Sequence, residues 1–284
     1  MRSLEPALTS LANPRVKGWA KLSERKHRER EGRFKLEGVH LVAEALAAGW
    51  PLECVVFEEG TGIPDELLPY TERDAAVGPA WIPVSPDIIE KCCETETPQP
   101  VFAVAYRKPL RKDELLGSGA GASGPVVVLD GVQDPGNVGT IVRSAAASGA
   151  RAVVLGKGTA DLYNAKTLRA TMGTLFYVPV VEADLTELLP EARERGAKLY
   201  GTSLQAVKSC YECDLSGGET WLLFGNEGSG LSPSIEALVD EPIIIPMTGK
   251  AESLNVAMAA TVLLFEAQRQ RIFHQTIIPV DPPK

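Results

Sequence analysis

The chain has 284 residues, enough for one large domain or two small ones, and 44% of them are hydrophobic, as ordinary globular cores require. A net charge of −8 argues against a protein that simply coats nucleic acid, and no stretch reaches the roughly 18 uncharged apolar residues of a membrane span. The N-terminus lacks the apolar core of a signal peptide, and five cysteines (Cys54, Cys92, Cys93, Cys210, Cys213) fit reduced thiols, so a cytoplasmic protein is expected. Cys210 and Cys213 have CxxC spacing, but adjacent Cys92 and Cys93 make an awkward second ligand pair, and no metal site is expected.

Asn13-Pro14 reads as an N-cap followed by proline at the first helical position. The helix that follows carries a basic run: nine cations lie between Arg15 and Glu37 against four acids. Arg15, Lys17, Lys21, Arg25, Lys26, Arg28 and Arg33 are candidates for contact with nucleic-acid phosphates, the alternative being a solvated helix with i,i+4 pairs. Phe34–Leu36 reads as a strand, 39–46 as a helix stopped at Gly49, and Leu52–Phe57 as a strand. Residues 60–80 are an irregular excursion. Trp81–Val84 and Val101–Tyr106 are strands, with a helix between them from Ser85-Pro86 to about Cys93. This alternation predicts a small α/β domain over residues 1–108.

A linker is expected over 109–124, because residues 117–124 are all Gly, Ala and Ser. Residues 125–284 read as a second α/β domain. Val126–Leu129 is an apolar run suited to a buried parallel strand, and Asn137–Ser148 an alanine-rich helix. Further strands are expected at Ala152–Leu155, Tyr177–Val181, Lys198–Thr202, Trp221–Phe224 and Pro242–Ile245, with helices near 164–171, 184–195 and 234–239. The last helix should run from about Ser253, as its cap, to Ile272, with Leu254, Ala257, Met258, Thr261, Leu264 and Phe265 on one apolar stripe.

Three segments carry chemistry. Leu129-Asp-Gly-Val-Gln-Asp-Pro-Gly-Asn-Val-Gly-Thr-Ile-Val-Arg143 takes a strand through a turn into a helix, with Asn137 where an N-cap belongs. Such turns often bind phosphates, but the glycine spacing is wrong for a dinucleotide fingerprint. Leu222-Leu-Phe-Gly-Asn-Glu-Gly-Ser-Gly-Leu-Ser232 sets glycines around one carboxylate at the end of an apolar strand. Ile243-Ile-Ile-Pro-Met-Thr-Gly-Lys-Ala-Glu-Ser-Leu-Asn-Val-Ala257 joins a strand to the terminal helix. Each alone is open to a bland account: a surface glutamate on a glycine turn, or plain capping by Ser253 and Asn255.

Together, Asn137…Arg143, Asn226-Glu227-Gly228…Gly230-Leu231-Ser232 and Ser253-Leu254-Asn255-Val256 resemble the three signature motifs of the SpoU (TrmH-type) branch of the SPOUT methyltransferases, over about Val126 to Arg271. More weakly, Asn13-Pro14…Phe34…Glu37-Gly38…Glu44-Ala45-Leu46…Gly49 resembles the N-terminal substrate-binding domain of many such enzymes, which is similar to small ribosomal RNA-binding proteins. The resemblance implies a doubly wound parallel sheet with a deep C-terminal trefoil knot, S-adenosyl-L-methionine as cofactor, and a homodimer through the C-terminal domain. It implies a cofactor pocket made of Thr202, Ser203, Leu204, Phe224, Gly225, Asn226, Ile245, Met247, Leu254, Asn255 and Ala257, with much of the contact through backbone.

The implied reaction is methylation of an RNA ribose 2′-hydroxyl. Arg143 is by position the central catalytic residue; a guanidinium stays protonated in proteins, so a clamp on phosphate or on the developing alkoxide suits it better than general-base work. Asn137 would orient Arg143 or the ribose, Glu227 would position Arg143 or accept the proton, and Ser253 and Asn255 would fix the loops. The separate N-terminal domain favours 23S-type rRNA, with a guanosine as target. The alternatives are a tRNA 2′-O-methyltransferase, a base methyltransferase, and a non-catalytic RNA-binding or ribosome-assembly protein of the same fold.

Overall fold

The computed structural model describes residues 6–72, 78–108, 112–117, 124–217 and 219–276. The chain divides into two compact units: Met1–Lys108 with Asp161–Phe176, and Pro109–Ala160 with Tyr177–Lys284.

The first unit opens with two helices where one was expected, α1 (Pro14–Lys21) and α2 (Arg25–Glu31). Asn13 caps α1 by accepting from the Arg15 amide, and Pro14 needs no partner at the first helical position. Gly32, at φ +64°, then turns the chain into β1 (Arg33–Glu37). Helix α3 (Val39–Ala47), β2 (Leu52–Glu58), β3 (Ala80–Val84), α4 (Pro86–Cys92) and β4 (Val101–Tyr106) complete a sheet of order β1-β4-β2-β3. The excursion between β2 and β3 contains a 3-10 turn at Asp65–Tyr70; residues 73–77 lie outside the described set. Ser85 holds the cap position of α4, but its side chain makes no capping hydrogen bond. Val16, Trp19, Val56, Ile82, Ile88 and Phe102 form one core between α1, α4 and the sheet. Residues 161–176 belong to this unit and carry α7 (Ala165–Thr171), capped by Asn164. Tyr163 packs on Phe34 with ring centroids 4.6 Å apart.

In the second unit, the span expected as linker contains a short helix, α5 (Lys112–Gly117), because Leu115 inserts into the apolar core; residues 109–111 and 118–123 lie outside the described set. Strands β5 (Val126–Asp130), β6 (Ala152–Leu155), β7 (Val180–Glu182), β8 (Lys198–Thr202), β9 (Thr220–Gly225) and β10 (Glu241–Ile243) form one sheet of order β10-β8-β9-β5-β6-β7. Every pairing is parallel. Parallel sheets need cover on both faces. Helices α8 (Leu185–Glu194) and α9 (Pro233–Glu236) cover the face carrying Val126, Val128, Val154, Trp221 and Leu223. Alternate residues Val127, Leu129, Leu222 and Phe224 are equally buried on the other face, where α6 (Pro135–Ala147) and α10 (Val256–Thr276) lie.

Four boundaries moved for local reasons. Helix α6 starts at Pro135, because Asp134 and not Asn137 is its cap: the Asp134 carboxylate accepts from the Asn137 amide at 2.9 Å. Strand β7 starts only at Val180, since residues 174–176 form a 3-10 turn and Val180 is the first residue in register with β6. Strand β10 ends at Ile243, beyond which Ile244 makes a single bridge to Ser209. Helix α10 starts at Val256, because Asn255 caps it in place of Ser253. Its expected stripe also divides: Ala257, Ala260, Leu263, Leu264 and Ala267 are buried, while Met258, Phe265, Ile272 and Phe273 are exposed. Among the described residues, no helix is long and apolar enough to cross a membrane.

Candidate active site

In open parallel sheets, ligands bind beyond the carboxyl ends of the strands, where the winding reverses. Here β5 and β9 are neighbours: the winding runs from β5 through β6 to β7 on one side and through β9 and β8 to β10 on the other. Asp130 and Gly225 are register partners at the ends of these two strands. The first two motifs therefore leave the sheet side by side.

The loop after β9 is tightly built. Asn226 and Gly230 exchange both backbone hydrogen bonds, at 2.8 and 3.0 Å. The Asn226 Oδ1 accepts from the Gly228 and Ser229 amides at 2.9 and 3.1 Å, and its Nδ2 donates to the Gly131 carbonyl at 3.0 Å. A Cβ on Gly225 would collide with the backbone of Gly230 and Leu231, so only glycine permits this turn. Asp130, buried at the end of β5, accepts from the Ser232 amide at 2.7 Å and fixes the far side of the loop.

This frame presents Glu227 to the start of α6. Its carboxylate accepts from Asn137 Nδ2 at 3.0 Å and from the amides of Gln133 and Asp134 at 3.2 and 3.3 Å. Asn137 Oδ1 in turn accepts from Asn255 Nδ2 at 3.0 Å. One residue from each motif thus joins a single chain, Asn255 to Asn137 to Glu227. Partial burial works to raise the Glu227 pKa, but the hydrogen bonds from Asn137 and the backbone outweigh it and hold the carboxyl below the usual carboxylate range. The group is a fixed anion and a poor proton acceptor.

Arg143 does not join this chain. It is exposed on α6, and no acceptor among the described residues holds its guanidinium. Neither Asn137 nor Glu227 bonds the Arg143 guanidinium directly, as had been expected: their side chains engage each other and Asn255. Ser253 is exposed and outside the network. Helix α6 is tied to α10 by Ser144 and Thr261, whose hydroxyls are 2.7 Å apart.

Of the cofactor candidates, Leu204 and Leu254 are exposed and Ile245 and Met247 half-buried, all on loops beyond the carboxyl ends of β8 and β10 or before α10. Those apolar side chains, beside irregular backbone, suit an adenosyl group. Other candidates offer less than expected. The Thr202 hydroxyl donates to the Leu223 carbonyl at 3.1 Å, Phe224 is buried in the sheet, Asn226 is engaged in its own turn, and Ala257 is buried. These four can contribute backbone only. The Ser203 hydroxyl bonds Gln205 at 3.0 Å.

Sequence inspection missed Asp130 and Asp134. Asp134-Pro135 was a visible cap-and-proline signal, whereas the engagement of Asp130 with Ser232, 102 residues away, needed the fold.

In the first unit, Lys17, Lys21 and Lys26 are exposed and pair with no carboxylate among the described residues. Arg15 lies over the Trp19 ring at 5.5 Å, and Arg25 pairs with Glu29 at 2.6 Å. Arg33 is held by Glu31 and Glu53. Arg28 is a correction to the expected set. It is buried, donates to the carbonyls of Leu22 and Ser23 at 2.8 and 2.6 Å, and pairs with Asp161 at 2.5 Å. A guanidinium enclosed in this way holds α2 to residue 161 and is not presented to a phosphate.

Fold and site define an α/β protein with a polar centre at the switch point of a parallel sheet. Residues 124–265, half of the chain, match the SpoU rRNA Methylase family, and residues 13–103 match the MRM3-like substrate binding domain. The chain belongs to the SpoU rRNA methylase family. It is 38% identical over 258 residues to the 23S rRNA (guanosine(2553)-2'-O)-methyltransferase RlmP of Bacillus subtilis (strain 168), covering 91% of this chain and 97% of that one. It is 34% identical over 280 residues to the 23S rRNA (uridine(2479)-2'-O)-methyltransferase of Streptomyces viridochromogenes, covering 93% and 92%. The AdoMet-bound rRNA methyltransferase from Sinorhizobium meliloti superposes with a TM-score of 0.82 at 31% identity, over 93% of this chain and 97% of that one.

Proposed function

We propose that the protein uses S-adenosylmethionine to methylate a ribose 2′-hydroxyl of 23S-type rRNA, with a guanosine as the target nucleotide. The observation that carries this is the Asn255–Asn137–Glu227 chain at the switch point, with Arg143 exposed six residues after Asn137 on the same helix. Leu204, Ile245, Met247 and Leu254, with the backbone around them, would hold the cofactor. Bound there, it supplies an electrophilic methyl group on a sulfonium, which leaves as a neutral thioether and needs no acid. What the chain must provide is alignment of a weakly acidic hydroxyl and stabilisation of its developing negative charge. Arg143, exposed and unpaired among the described residues, would take the second task. Glu227 holds the first turn of α6, and therefore Asn137, in position.

The exposed lysines of α1 and α2 would contact RNA phosphates, which position a substrate without specifying sequence. The outward stripe Met258, Phe265 and Ile272, spaced by seven, supports a homodimer packed along α10. A deep trefoil knot is supported by the return of β10 outside β8 and of α10 onto α6. The test is transfer of labelled methyl groups to purified rRNA and tRNA, followed by mapping of alkali-resistant linkages. Label in tRNA alone, or on a base, would replace this assignment.

A further inference from the structure

The loop after β6 lies outside all three motifs, yet it grips the first of them. The Leu129 carbonyl accepts from both the Gly156 amide, at 2.8 Å, and the Thr159 hydroxyl, at 2.9 Å. The same hydroxyl accepts from the Gly131 amide at 3.2 Å, and the Ala160 amide donates to the Val132 carbonyl at 2.9 Å. A Cβ on Gly158 would lie 3.7 Å from the Gly131 Cα, so the two loops are in contact.

Gly131 is the hinge of the motif. It sits at φ +70°, where the chain leaves β5, and the extended ladder can no longer hold it. Its carbonyl is fixed by Asn226 at 3.0 Å and its amide by Thr159. Two and three residues on, the amides of Gln133 and Asp134 meet Glu227. A hydroxyl can donate and accept at once, which a valine of the same shape cannot.

We propose that Thr159 is a positioning residue of the active centre: through Gly131 it sets where the first-motif loop presents its amides to Glu227, and so where α6 places Asn137 and Arg143. Because this rests on the assignment of Glu227, Asn137 and Arg143 to the catalytic centre, the experiment must separate the two.

The 284-residue chain is compared with Thr159→Val, which deletes the hydroxyl, and Thr159→Ser, which keeps it. Methyl transfer to rRNA at saturating cofactor, the RNA KM, and hydrogen exchange of residues 131–134 are measured together. The Val variant should lose about tenfold in kcat, about 1.4 kcal/mol, with RNA KM within about twofold of wild type. Its exchange should rise at Gln133 and Asp134, and Ser should restore both readouts. Wild-type kcat and exchange in the Val variant would overturn the proposal, as would a Ser variant no better than Val. Arg143→Ala is assayed alongside. If it is inactive while Thr159→Val is wild type, Thr159 alone is misassigned; if Arg143→Ala is active, the catalytic assignment falls and the role of Thr159 falls with it.

Discussion

Asn255 serves two elements through the two ends of one amide. Its Nδ2 donates to Asn137 Oδ1 at 3.0 Å, while its Oδ1 caps α10 at the amides of Ala257 and Met258, at 2.9 and 3.3 Å. The terminal helix and the first-motif helix are therefore registered to each other by a side chain at the mouth of the site. Asn255→Asp separates the two roles. Asp caps as well as Asn, so α10 should keep its cap and the loss of stability should stay within the roughly 0.5–1.5 kcal/mol of the one hydrogen bond to Asn137. An acceptor would then face Asn137 Oδ1, and Asn137 cannot flip without turning that oxygen toward Glu227. Methyl transfer should fall at least about tenfold, a loss of about 1.4 kcal/mol of transition-state stabilisation. Thermal melting and steady-state kinetics on the same preparation check both halves.

Glu227 gives a pH prediction with a definite sign. Its carboxyl lies below the ordinary value in the folded chain, so in that window the unfolded state binds more protons and stability rises with pH. The contribution is complete above the unfolded value, about 4.3, and is lost as pH falls through the lower folded value. The stability difference between wild type and Glu227→Gln should be flat from pH 7 to about pH 5 and shrink only under more acid conditions. Denaturant titrations across that range would show it; a difference that disappears near neutral pH would assign Glu227 a raised pKa and a proton-transfer role.

The basic run divides into structural and exposed cations. Arg28→Ala strands the half-buried Asp161 carboxylate and should destabilise the protein by about 3–5 kcal/mol, as broken buried pairs do. Lys17→Ala with Lys21→Ala should leave the melting temperature unchanged, weaken RNA binding, and flatten its log–log salt dependence by about one to two units. Binding titrations at several salt concentrations measure this directly.

The outward stripe of α10 predicts the oligomer. Phe265→Glu adds a charge on the outward stripe, at a residue 45% exposed in the monomer. Sedimentation velocity should show a dimer for wild type and a monomer for the variant. A wild-type monomer would remove α10 as an interface.

Much of this was legible in the sequence, for specific reasons. The apolar run Val126–Leu129 suited a buried parallel strand, and the Asn13-Pro14 cap marked where α1 starts, though not where it ends. Gly225 and its neighbours marked the sharp turn that steric contact with Gly230 now explains. What could not be read was which side chain answers which. Arg28 and Lys17 look alike in a basic run, and only Asp161, 133 residues on, makes one of them structural. Likewise Asn137 invited a cap assignment, because Asp134 competed for it and the true partners, Glu227 and Asn255, lie 90 and 118 residues away. Local patterns fix elements; pairings across more than a hundred residues belong to the topology of the sheet.

In the proposed function, Arg143 stabilises the charge that develops on the ribose 2′-hydroxyl. The direct measurement is labelled methyl transfer from S-adenosylmethionine to rRNA by wild type and Arg143→Ala, with cofactor affinity determined by calorimetry. Wild type should place label at an alkali-resistant linkage, and the variant should bind cofactor with unchanged affinity yet transfer no methyl group. A variant that still methylates at the wild-type rate would remove Arg143 from the reaction.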